Sequence, residues 1–148
     1  LSTTATIFGM AVDLDSWVKW ATIAVPAIAI PTAFIAFFQV KISRAESRIA
    51  TAHNIYNAYL QLAMQNPDLA SADSNAIASS PMKYKWFLAS MLFSFEQILL
   101  VTKNQNDWVI AIKSQLKKHK NHLSVSGSVA RGDWKPELAR LIKETVKG

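Results

Sequence analysis

The chain has 148 residues, 51% of them hydrophobic, with 16 basic and 10 acidic side chains for a net charge of +6. It contains no cysteine, which excludes disulfides, thiolate zinc sites, iron–sulfur clusters, covalent c-type haem and cysteine nucleophiles together, and fits a reducing compartment. The charge is unevenly spread: residues 1–40 carry Lys19 against Asp13 and Asp15, whereas residues 41–148 carry 15 basic and 8 acidic side chains.

Residues 1–15 are expected to form a short tail outside the membrane, followed by an anchor over residues 16–40. Residues 21–40 hold no charge, and their only polar side chains are Thr22, Thr32 and Gln39. Twenty residues at about 1.5 Å rise each match the hydrocarbon core of a bilayer. Trp17 and Trp20 stand at one edge, where amphipathic rings favour the headgroup layer. Lys41, Arg44 and Arg48 follow the other edge. Pro26 and Pro31 would each cost a soluble helix about 3 kcal/mol. Neighbouring helices and Thr hydroxyls make them tolerable in a membrane.

A buried helix of a soluble domain is the competing reading, but the rest of the chain offers little apolar surface to surround so long a helix. A cleaved signal peptide would want a basic leader and a shorter apolar run. The residues before Lys19 are acidic instead, so an uncleaved anchor is expected. More basic residues follow the stretch than precede it. The positive-inside rule therefore puts the N-terminus outside and residues 41–148 in the cytoplasm, on the inner membrane. Ala29 and Ala33, four residues apart, would let another membrane helix pack closely.

Beyond Pro31 no Gly or Pro occurs until Pro67, so the anchor helix is expected to run on to about Gln65. Ile42, Ala45, Ile49, Ala52, Tyr56, Tyr59, Leu60 and Ala63 recur at helical steps and predict one apolar face. Residues 66–80 form a polar connection with room for a short helical turn. Ser80-Pro81 reads as a helix start. The following run is nearly apolar all round over residues 86–101, with Leu88, Leu92, Phe95, Leu99 and Thr102 on one face and Phe87, Met91 and Ile98 widening it. A second span is disfavoured, because sixteen residues is short and Glu96 would lie in lipid. A central core helix is expected.

Asn106 is expected to cap a helix over residues 107–123, with Trp108, Ile112, Leu116 and Leu123 inward and most lysines outward. Residues 124–132 read as a loop. A last helix begins at residues 133–136 and turns Leu138, Leu141, Ile142 and Thr145 inward. No strand pattern or internal repeat is evident. The fold class predicted is all-α: one N-terminal transmembrane helix continuing into a small cytoplasmic helical bundle over residues 41–148.

The chemistry-bearing residues are few. Lys117, Lys118, His119, Lys120 and His122 form a basic cluster, read as a solvated face or as a contact for anionic lipid or an acidic partner. His119 and His122 could share a helix face as metal ligands, but the surrounding lysines repel a cation and no further ligand lies nearby in sequence. Nucleic acid is not expected, since no nucleic-acid fold motif accompanies the cluster. Glu96 is a carboxylate inside an apolar run and needs a partner, expected to be Arg44, Arg48 or a lysine of a neighbouring helix. His53 reads as a satisfied core histidine. Glycine-rich phosphate loops, nucleophile elbows and zinc-binding helices are missing from the sequence, so no catalytic residue, cofactor or metal is expected.

Residues 56–60 leading into "NPDLA" (66–70), "WFLASMLFSFEQILL" (86–100), Trp108 and "PELARLI" (136–142) stand in an order that resembles a group of uncharacterised bacterial single-span membrane proteins with a short all-helical cytoplasmic domain. The resemblance spans about residues 20–145 and implies the architecture, without an activity or functional residues. The function expected is a non-catalytic accessory subunit of a larger integral membrane complex, with respiratory or photosynthetic assemblies as hosts by analogy. Its partners would be other integral membrane subunits. A membrane-tethered adaptor recruiting acidic soluble partners is the alternative, followed by an enzyme with an unfamiliar site at Glu96 and His53.

Overall fold

The computed structural model describes the backbone of residues 4–7 and 10–148 and the side chains of residue 32 and residues 34–148. Two compact units emerge, Leu1–Ala45 and Glu46–Gly148. The first holds a short antiparallel hairpin, β1 (Thr4–Ile7) with β2 (Met10–Asp13), in which Thr4 pairs with Asp13 and Ile7 with Met10. A plain tail was expected there. Helix α1 (Leu14–Gln65) runs through Pro26 and Pro31 and ends where the sequence places its stop, before Pro67. Trp17, Trp20, Ala29 and Ala33 lie outside the residues whose side chains are described.

The second unit is all-helical. After α1 come α2 (Pro67–Ala70), α3 (Ser74–Ser79), α4 (Pro81–Thr102), α5 (Asn106–Lys118), α6 (Lys120–Ser124), α7 (Gly127–Arg131) and α8 (Pro136–Lys147). The polar connection thus folds into two short helices. Asp73 caps the second of these by accepting the N–H groups of Asn75 and Ala76. Leu69 sits in the core and anchors the first.

Helix α4 is the centre of this unit. Tyr84, Phe87, Leu88, Met91, Leu92, Phe95, Ile98, Leu99 and Thr102 are buried along one face, as the periodicity predicts. By length and composition α4 could cross a bilayer. Its buried face instead packs with α5 and α8, each large side chain contributing about 1.5–3 kcal/mol on burial. Ile112 and Leu116 of α5, Leu123 of α6, and Leu138, Leu141 and Ile142 of α8 complete the core. Trp108 is half-buried against it.

Within the second unit, α1 adds Ala52 and Tyr59, both buried, and Tyr56 and Ala63 at the margin. Tyr59 sets its ring edge against Phe95 at 5.0 Å and donates its hydroxyl to Gln115 Oε1 at 3.3 Å. Ile49 and Leu60, expected on the same face, are exposed. Lys113 and Arg140 both pair with Glu144, at 2.6 and 2.9 Å, so one carboxylate ties α5 to α8.

The helix expected over residues 107–123 is broken. His119 closes α5 and opens α6, and its side chain is buried at the break. Gln105, not Asn106, stands at the α5 N-cap. The predicted loop over residues 124–132 contains α7, which ends at Gly132 with φ +73°, a left-handed conformation suited to glycine.

Candidate functional site

The most distinctive side-chain cluster lies where the first half of α4 meets the break between α5 and α6. Tyr84 sits one turn into α4 on its buried face and reaches His119, the residue at the break. Tyr84 Oη and His119 Nδ1 are 2.8 Å apart. His122, one turn on in α6, sets its ring edge against the Tyr84 ring at 4.7 Å. His119 is 0% exposed, and its Nε2 has no hydrogen-bond partner. Burial pushes the His119 pKa down to about 4, helped by the positive charges of His122 and Lys118. Burial likewise raises Tyr84 to about 12. Both groups are therefore held neutral at physiological pH, which opposes proton transfer between them.

This corrects the sequence reading of the basic cluster. Lys117 and Lys118 are exposed, Lys120 and His122 are half-buried, and His119 belongs to the core. His119 is therefore withdrawn from the contact face that the cluster was expected to form, while the other four stay at least partly accessible. His119 Nδ1 is engaged with Tyr84, and Nε2 is the ring nitrogen left without a partner. Among the described residues no group of three or more His, Cys, Asp or Glu side chains could hold a metal ion.

Glu96 also finds a different partner from the one expected. Its Oε1 accepts the backbone N–H of Lys135 at 2.7 Å, at the start of α8. Arg44 and Arg48 are exposed and make no ion pair among the described residues, and neither does Lys41. His53 is exposed rather than in the core, with its ring against the edge of Trp108 at 5.1 Å. Glu96 and His53 contact different neighbours, and no described contact joins them into one site.

A cleft of about 520 Å³ opens beside the Tyr84 ring, between α4 and the segment from His122 to Ser128. The sequence gives no motif for it, because its lining is assembled from α3, α4, α6 and α7.

The second feature is the outward face of α4. Met82, Trp86, Phe93 and Leu100 are spaced by four, seven and seven residues, which stacks them in one stripe. They are 62%, 70%, 59% and 38% exposed. The stripe lies opposite the buried face, so α4 is apolar on both sides. Its sequence signal was the nearly apolar run over residues 86–101, which carries more hydrophobic side chains than one core face can absorb. In the first unit, Phe34, Ile35, Phe37, Phe38 and Val40 of α1 are exposed and point around the whole helix.

Comparison of the chain with protein-family models, with curated proteins and with solved structures finds no match.

Proposed function

We propose that this chain is a non-catalytic accessory subunit of a larger integral membrane complex. Residues 16–40 anchor it in the inner membrane with the N-terminus outside, and its helical unit docks in the cytoplasm against another subunit. The observation that carries this reading is the exposed stripe Met82, Trp86, Phe93 and Leu100 on α4. A helix that buries one face in its own core and sets a row of large apolar side chains opposite leaves that row in water unless a partner covers it. The core of this chain covers one side of α4, and a partner subunit covers the other. Trp and Phe are residue types enriched at the buried centre of such contacts.

The anchor is supported by the uncharged run of residues 21–40 and by the outward aromatic and aliphatic side chains of residues 34–40, which suit lipid on every side. Energy-converting complexes, respiratory or photosynthetic, are the host class by analogy alone.

The test is extraction of native membranes in mild detergent, followed by a native gel and mass spectrometry of whatever migrates with the chain. Co-migration with a large membrane complex at fixed stoichiometry is expected. Migration alone, or with soluble acidic proteins that dissociate in salt, would move the weight to a tethered adaptor.

A further inference from the structure

The cleft beside Tyr84 has the size and chemistry of a ligand site. Its volume of about 520 Å³ falls within the roughly 300–1,000 Å³ usual for small-molecule pockets. Ile77, Leu88, Leu92 and Val125 give it apolar walls, and Val125 is 80% exposed at its margin. Lys85 and His122 line the same space, and no carboxylate does. Lys85 makes no ion pair or hydrogen bond among the described residues. The Ser126 and Ser128 hydroxyls, also in the lining, are 3.1 Å apart. Trp134 Nε1 donates to Ser128 Oγ at 3.2 Å. Either hydroxyl of the pair can donate, and when Ser128 donates to Ser126 the Ser126 proton is free for a ligand oxygen.

Hydrocarbon walls beside an uncompensated ammonium group select a ligand that is apolar along most of its length and anionic at one end. A neutral hydrocarbon would leave Lys85 unpaired, and a small anion would leave the walls in water. We propose that this cleft binds a single-chain carboxylate amphiphile, a long-chain fatty acid. Its head pairs with Lys85 and takes the Ser126 hydroxyl, while its tail lies against Ile77, Leu88 and Leu92. The site stands on the cleft alone and does not depend on what covers the α4 stripe.

The full chain in lipid nanodiscs, irradiated with a diazirine-bearing palmitate and digested for mass spectrometry, tests this. Label is expected on peptides carrying Leu88 and Leu92 and on those spanning residues 122–128. Unlabelled palmitate should compete for it and hexadecanol, which lacks the charge, should not. Lys85→Glu should cut the cleft label at least fivefold, as should Ala89→Trp, which fills the cleft. Lys85 is exposed, so its variant is expected to melt like the parent, and it carries the test if Ala89→Trp fails to fold. Label confined to residues 16–40 would overturn the proposal. So would cleft label that hexadecanol competes for equally, or that neither variant reduces.

Discussion

The carboxylate of Glu96, on the central helix, accepts the backbone N–H of Lys135 at 2.7 Å, 39 residues further along the chain. Lys135 is the N-cap of α8, so Glu96 does from the core helix what the third-position Glu of a capping box does locally. The negative end also suits the positive pole of the α8 dipole. This fixes where α8 begins over α4 and explains a charge in an otherwise apolar run.

Glu96→Leu leaves the Lys135 amide without its acceptor and should cost about 1–3 kcal/mol. Glu96→Gln keeps an acceptor oxygen and should cost less than half as much. Chemical denaturation of both variants measures the difference. Equal stability of parent and Glu96→Leu would remove the capping role.

His119 makes stability depend on pH. Folded, it stays neutral down to about pH 4; unfolded, it takes up a proton near 6.5. Above pH 6.5 neither state binds the proton and stability is at its full value. As pH falls from 6.5 to about 4 only the unfolded state gains it, so stability drops, by on the order of 2–3 kcal/mol in all. His119→Asn, which can still meet the Tyr84 hydroxyl, should flatten this window in thermal melts taken across it. An unchanged slope would show that other groups set the acid response.

The exit from α4 holds two non-glycine residues in the left-handed region, Lys103 at φ 52° and Asn104 at φ 60°. The Asn104 N–H reaches back to the Leu99 carbonyl at 3.2 Å, closing the helix with a turn that favours glycine at position 103. Lys103 is exposed and its side chain makes no hydrogen bond or ion pair among the described residues. Lys103→Gly should therefore stabilise the unit by about 1 kcal/mol, read as a higher Tm. A lower Tm would mean that glycine's extra freedom in the unfolded chain outweighs the relief.

The inward faces of α4 and α8 were legible in the sequence, because Leu88, Leu92, Phe95 and Leu99, and Leu138, Leu141 and Ile142, repeat with the period of a helix. The break at His119 was not. Its surroundings, "KKHKNH", have the composition of a solvated helix face, and the contact that draws His119 inward comes from Tyr84, 35 residues earlier. The partner of Glu96 was hidden for a related reason: a backbone amide leaves no mark in composition, whereas Arg and Lys side chains do. The cleft is more distant still from sequence, since it forms only where residues 77–92 meet residues 122–128.

We propose that another membrane subunit covers the outward face of α4. A photo-crosslinking amino acid placed at Trp86 or Phe93, with Lys143 on α8 as the control position, tests it in intact membranes. One adduct of fixed mass is expected from positions 86 and 93, containing a second integral membrane protein, and none from 143. No adduct from the α4 stripe, or an adduct of twice the mass of this chain, would contradict it.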